Sequence, residues 1–213
     1  MNTNQQIRSW RYAEEFPYEA PTLAQARQQA ERQSAAPVAP SVASLLTVLS
    51  ASTGAEHAVE IGTGCGVSTV ALLLGLREGA ALTSLDIDAA HSQLTRELLA
   101  EAGLDKNHRV RIITGDATDV LPRLSAASYD FAFIDAGADQ AEQFTYDALA
   151  LLSPGGLLVV HDPLAGGAVA DPVARDARSV SLRRMLTDVA ACVDDVHVSL
   201  VFAGSGLYLI YKK

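Results

Sequence analysis

Residues 57–66 read His-Ala-Val-Glu-Ile-Gly-Thr-Gly-Cys-Gly, and a second apolar run ends twenty residues later at Asp86. The composition predicts a short buried strand, a glycine turn at 62, 64 and 66, and a helix from Val67 onward. Glycine tolerates positive φ and carries no Cβ, so such a turn bends sharply and lets a ligand lie against the main chain. An acid at the tip of the neighbouring strand can take both hydroxyls of a ribose. The expected ligand is a nucleoside.

The spacing narrows the choice. Dinucleotide binding wants G-x-G-x-x-G, and the last glycine of that pattern is Val67 here. A P-loop would need Gly-Lys-Ser/Thr after the turn, which is absent. The pattern present is E-x-G-x-G-x-G, and in it the chain resembles the class I methyltransferases that use S-adenosylmethionine (SAM). That resemblance implies a helix N-terminus facing an amino-acid carboxylate, with Ser68 suited to meet it. The competing reading is an ordinary strand-turn-helix with tight glycines.

Outward from this motif, apolar strands at about 57–61, 81–85, 109–114, 129–135 and 156–161 alternate with helical stretches at about 67–77, 89–102, 117–125 and 140–152. Alternation of that kind predicts an α/β fold with a doubly wound parallel sheet. Runs such as Leu157-Leu158-Val159-Val160 predict cover on both faces. After a Gly/Ala/Pro/Asp loop to about 177 and a helix to about 191, strands near 195–202 and 206–211 are joined by Ala203-Gly204-Ser205. Three residues cannot carry a parallel crossover, so these two strands must form an antiparallel hairpin. Five parallel strands and a hairpin make the Rossmann-like seven-stranded sheet that the resemblance implies. Residues 1–40, polar and closing on Ala-Ala-Pro-Val-Ala-Pro, read as a lead-in; residues 41–213 read as the domain, with Ser41 capping its first helix.

Composition sets the outer limits. A chain of 213 residues is one domain's worth. A net charge of −9 argues against nucleic acid, whose affinity rests on Lys and Arg at phosphates, and favours a small-molecule acceptor. Arg175, Arg178, Arg183 and Arg184 cluster in sequence, as a local basic patch or as the wet face of a helix. No apolar run reaches membrane-spanning length and the first residues lack the apolar core of a signal peptide, so the expected location is cytoplasmic, away from membranes. Cys65 and Cys192 form neither a disulfide framework nor a metal spacing.

From Ala36 onward the chain is similar to bacterial O-methyltransferases of the catechol and caffeoyl-CoA group, through Glu60-Ile-Gly-Thr-Gly, Leu85-Asp-Ile-Asp88, Gly115-Asp-Ala, Phe133-Ile-Asp135, Leu152-Ser-Pro-Gly-Gly156, Gly167-Ala-Val-Ala-Asp-Pro172 and Gly206-Leu-Tyr-Leu. The resemblance implies that Glu60, Gly62, Thr63 and Ser68, with Gly64 in the same turn, hold the methionine end of SAM. Asp86 and Ile87 would take the ribose, Asp116 and the Ala117 backbone the adenine end, and Val38 would close over the cofactor. Asp135 would lie between cofactor and acceptor, and the assembly would be a homodimer. In metal-dependent members of the group, Mg²⁺ is held by one strand-end Asp and an Asp-Asn pair on the next strand. Here Asp135 and Asp162 stand at two ligand positions, but the third is Pro163, and the position of the group's lysine base is Ala138.

With the metal in doubt, His161 beside Asp162 is the candidate base, with Asp135 as its catalytic companion. Alternation along a strand sends His161 and Asp162 to opposite faces, so the two need not share a pocket. The expected activity is O-methyl transfer to a small phenolic or catechol-like hydroxyl. The alternatives are a binder of SAM or S-adenosylhomocysteine (SAH) with little transfer, or an N- or protein methyltransferase; a nicotinamide dehydrogenase is undercut by Val67. The loop at 163–177, rich in Ala and Gly, is expected to act as a lid over the acceptor.

Overall fold

The structure is a computed structural model and describes residues 2–137 and 139–213. Its centre is a pair of parallel strands, β1 (His57–Ile61) and β4 (Tyr129–Ile134). On one side lie β2 (Ala81–Asp86) and β3 (Arg109–Thr114). On the other lie β5 (Leu152–His161), β7 (Leu207–Lys212) and β6 (Val196–Val201), giving the order 3-2-1-4-5-7-6. The first five strands are parallel, and β7 runs antiparallel to both β5 and β6; the β6–β7 link is five residues, 202–206, longer than the three expected but still too short for a parallel crossover. Strand order reverses between β1 and β4, which opens a crevice at their carboxyl ends.

Period-two alternation divides the strand side chains between two apolar layers. Phe131 and Phe133 of β4 enter one layer, Ala132 and Ile134 the other. The first layer is completed by α2 (Pro21–Arg32), α3 (Pro40–Thr53), α4 (Val67–Gly75) and α5 (Ala89–Ala102). The second is completed by α8 (Ala141–Leu151) and α9 (Ala177–Ala191). Three remaining helices, α1 (Thr3–Glu15), α6 (Leu104–Asn107) and α7 (Ala117–Val120), bury no residue of their own. Among the described residues no helix is long and apolar enough to cross a membrane.

The first 40 residues are more structured than their polarity suggests. They hold α1 and α2, and Leu23, Ala26 and Val38 join the α3/α4 core. Ser41 is not the cap of α3. That helix starts at Pro40, whose fixed φ and missing N–H suit a first turn, and the Ser41 hydroxyl instead donates to Glu14 of α1.

The arginines near 180 do not form a free basic patch. Arg183 donates to the carbonyls of Val169 at 3.1 Å and Asp171 at 3.2 Å, and Arg178 pairs with Asp162 at 2.7 Å. Arg175 donates to the Pro172 carbonyl, and Arg184 forks onto Glu142 at 2.8 and 2.7 Å. The segment after β5, which includes a 3₁₀ turn at Ala165–Ala170, is thereby tied to α9.

Helices α3 and α4 cross at Gly75, where a Cβ would come within 2.2 Å of the Thr47 carbonyl oxygen and 2.0 Å of the Ser50 hydroxyl. Because one obstacle is backbone, the helices must part to admit even a methyl. Gly75→Ala is therefore expected to cost about 1–3 kcal/mol and to lower Tm by roughly 2–4 °C for each kcal/mol in a chain of this size. A thermal melt matching the native protein would contradict the close crossing.

Candidate functional site

The crevice between β1 and β4 widens into a cleft of about 460 Å³. Its floor is the glycine turn, whose three glycines have separate reasons for being there. A Cβ on Gly62 would meet the Asp135 carbonyl oxygen at 2.2 Å, so Gly62 is required by the close approach of β4. Gly66 faces Thr95 of α5 at 3.1 Å. Gly64 alone has nothing within 4 Å of where a Cβ would stand, so here the main chain lies open to a ligand.

The turn is held by Asp86. One carboxylate oxygen accepts from the Gly64 N–H at 2.6 Å and the other from the Asp88 N–H at 2.8 Å. Asp88 in turn caps α5 through the Ala90 and His91 amides, which hold its carboxyl below the usual range. Asp86 and the exposed Ile87 line the cleft, and so does His91, whose Nδ1 stands 3.8 Å from Asp86. On the far wall Asp116 and Ala117 line the cleft, while the Asp116 carboxylate is engaged locally by the Thr118 hydroxyl and amide, which lower its pKa. Val38, Ser68 and the buried Thr63 complete the lining from the N-terminal side and from α4.

Glu60 behaves differently from its neighbours. It is fully buried and does not line the cleft but stands behind Thr63 and Ser68. One oxygen accepts from the hydroxyls of Thr69 and Ser84, each at 2.6 Å, and the other has no partner. Burial pushes its pKa up to about 7, against the pull of the hydroxyls of Ser68, Ser84 and Thr69 and with a further push from the Asp135 charge.

On the acceptor side, strand alternation decides the pairing. Ile134 pairs with Val160 in the β4–β5 ladder, so Asp135 comes beside His161 one step further on. Their side chains meet at 2.7 Å, Asp135 to His161 Nδ1, with Nε2 at 2.9 Å from the Ser205 hydroxyl. Burial alone would lower the His161 pKa, but the hydrogen bond and charge of Asp135 and the charge of Asp162 together raise it. Asp162 points the other way, toward α9. It pairs with Arg178 and accepts the Gly166 amide at 3.0 Å.

The two carboxylates offered by the sequence as metal ligands are thus not brought together. Asp135 is engaged by the His161 imidazole and Asp162 by the Arg178 guanidinium, Pro163 adds no oxygen, and no group of three His, Cys, Asp or Glu able to hold a metal occurs among the described residues. The donor set does not fit a divalent cation. Ala138, at the position of the group's lysine, lies outside the described residues. Sequence reasoning missed Ser205, Arg178 and the part of His91. Their partners are 44, 16 and 5 residues away, on other elements, and no local pattern reports them.

Comparison with known proteins gives the chain's family and fold neighbours. The profile of the O-methyltransferase family matches residues 13–213. A protein of Mycobacterium tuberculosis named "Probable O-methyltransferase" is 41% identical over 174 residues, covering 82% of this chain and 77% of its own. Among solved structures, an O-methyltransferase from Bacillus cereus in complex with SAH superposes with a TM-score of 0.85 at 26% identity, covering 97% of this chain and all of its own. The O-methyltransferase TomG of tomaymycin synthesis from Streptomyces achromogenes, in complex with SAM, gives 0.84 at 26% identity over the whole of both chains.

The buried Glu60 makes a signed prediction about stability. Its pKa is about 7 in the fold against 4.5 for the free side chain, so between these values the folded state binds more protons than the unfolded one. Stability from this group is present at low pH and is lost as pH rises through that window. Glu60→Gln removes the titration. Urea unfolding from roughly pH 5 to 8 is expected to show the variant gaining on the native protein as pH rises, by at most about 1.4 kcal/mol per pH unit. Parallel pH profiles would contradict the assignment.

Proposed function

The chain belongs to the O-methyltransferase family, and from that premise we propose that it transfers a methyl group from SAM to the hydroxyl of a small phenolic or otherwise hydroxylated acceptor without a metal. The observation that carries this reading is the cleft itself. It joins an open backbone at Gly64, a strand-end acid at Asp86 and Asp135, whose carboxylate is hydrogen-bonded to His161 behind the lining. SAM supplies an electrophilic methyl group on a sulfonium. Thr63 and Ser68 are suited to the methionine end, with the buried Glu60 carboxyl behind them. Asp86 and Ile87 suit the ribose, and the Ala117 backbone the adenine. Val38, held through its carbonyl by Arg27 at 2.8 Å, closes the cleft from the N-terminal side.

In-line displacement draws most of its acceleration from holding the acceptor oxygen at attack distance in a dry site. Asp135 is suited to orient that oxygen, and the His161 imidazole is the base available behind it. A negative net charge and the commitment of the α9 arginines to loop carbonyls and carboxylates favour a small-molecule acceptor over nucleic acid. A homodimer fits the surface: α1 buries nothing, yet Ile7, Trp10, Phe16 and Tyr18 are exposed, and Trp10 lies 6.2 Å from the exposed Phe202.

Two measurements test this. By calorimetry SAH is expected to bind one per chain and NAD not at all, with Asp86→Ala weakening SAH about tenfold to hundredfold, the value of one lost charged hydrogen bond. Transfer to catechol is expected to be unchanged by chelator. Stoichiometric Mn²⁺ on SAH-saturated protein, lost in Asp135→Ala, would overturn the metal-free reading, and SAH binding without transfer to any hydroxyl would favour a binding protein. Separately, sedimentation is expected to give a dimer that Trp10→Glu converts to monomer; a monomeric native chain would refute that assembly.

A further inference from the structure

The hydrogen-bond polarity around His161 restricts where a proton can go. An ionised Asp135 only accepts, so the hydrogen of a neutral imidazole sits on Nδ1, 2.7 Å from the carboxylate. Nε2 then carries the lone pair, and the group lying on it is the Ser205 hydroxyl at 2.9 Å, which donates. The basic atom of the pair therefore faces the hairpin, and Asp135 covers only the other nitrogen. Any proton that His161 accepts must enter by the nitrogen that Ser205 covers.

Ser205 is firmly placed for that task. His161 pairs with Leu207 in the β5–β7 ladder, which brings the turn at 202–206 to the rim where Asp135 and the cleft lie. The turn is closed by Gly206 N–H to the Ala203 carbonyl at 2.8 Å and tied to β5 by Asp162 N–H to the Gly206 carbonyl at 3.1 Å. Its tip is fastened to α1 by Gly204 N–H to Glu14 at 2.7 Å, and Glu14 also receives the Ser41 hydroxyl. The imidazole is fixed in turn by hydrogen bonds on both nitrogens and by Phe133, whose ring centroid is 6.5 Å away. These anchors leave the serine hydroxyl with a single side-chain partner, Nε2.

We propose that Ser205 is a catalytic residue, the carrier that takes the acceptor's proton and delivers its own to His161. This rests on the methyl-transfer reading above. The acceptor O–H bond breaks, its proton passes to Ser205 Oγ, and the proton of Ser205 passes to His161 Nε2. The acceptor oxygen forms its bond to the methyl carbon while the carbon–sulfur bond breaks, leaving the electron pair on a neutral thioether. The positive charge lost by the sulfonium reappears on the imidazolium, beside Asp135, and is discharged to water afterwards. Asp, His and Ser in this order also resemble a hydrolase triad. Here the Gly204 and Gly206 amides are already bonded, so that turn offers them to no oxyanion, and Ser205 is assigned to proton transfer rather than to nucleophilic attack.

The test uses the full chain with SAM and catechol. Ser205→Ala is expected to lower kcat about 10²-fold with KM for catechol and SAH affinity nearly unchanged, and Ser205→Thr to restore most of the loss. In parallel, ¹⁵N NMR of His161 in SAH-saturated protein, above the pH of imidazole titration, is expected to show hydrogen on Nδ1 and a Nε2 resonance that moves in Ser205→Ala. Full kcat in Ser205→Ala, or hydrogen on Nε2, would overturn the proposal. If the native chain binds SAH but leaves catechol unmethylated, the acceptor class has failed, and the NMR result still decides the Ser205–His161 polarity.

Discussion

The contact between Gly62 and the Asp135 carbonyl is the constraint from which the site follows. The chain leaving β1 passes so close to the end of β4 that a methyl group would stand 2.2 Å from a backbone oxygen. Backbone cannot rotate away as a side chain can, so the position tolerates only glycine. That closeness makes the end of β4 a wall of the cleft floored by the turn, and brings the acceptor-side acid to the cofactor side. The turn then owes its shape to Asp86, which takes the Gly64 and Asp88 amides, and to α5, whose Thr95 packs against Gly66.

Crowding acids at one rim is costly unless each is met by something. The structure shows a separate internal solution for each. Glu60, in an apolar layer, is raised toward neutrality. Asp86, Asp88 and Asp116 are satisfied mainly by backbone amides, two of them as helix caps. Asp135 has an imidazole and Asp162 a guanidinium. The rim is thus organised from within, and one Glu60 oxygen is left without a partner behind the turn.

Much of the fold was legible because its signals are local. Strand-turn-helix alternation, the glycine spacing and the short hairpin link depend on neighbours in sequence, whereas the strand order 3-2-1-4-5-7-6 is set by pairings between distant segments. Helix α2 was harder to read because its buried side is small, Leu23 with Ala26 and Ala30, and alanine carries little hydrophobic signal. In the candidate site, the cleft-lining residues of the glycine turn and Asp86 came with the motif, but the pairings around His161 did not. Asp135 with His161 spans 26 residues, and His161 with Ser205 spans 44. Those contacts depend on strand register, which one sequence does not print. The alternation rule did warn that His161 and Asp162 diverge, and the structure gives Asp135 and Asp162 separate partners, His161 and Arg178.

That divergence also bears on which acceptors such a site can choose. A divalent cation can coordinate two neighbouring oxygens at once, so a metal site selects vicinal hydroxyls by chelation. An imidazole held by a carboxylate offers one basic nitrogen, and on the reading above that nitrogen works through one serine hydroxyl. Selection would then pass from the number of acceptor oxygens to the shape of the wall around them. A second hydroxyl on the acceptor would lose its privileged role. An imidazole base in place of a metal would exchange chelation for an acceptor range set by packing, with Asp135 left to orient whichever hydroxyl the wall presents.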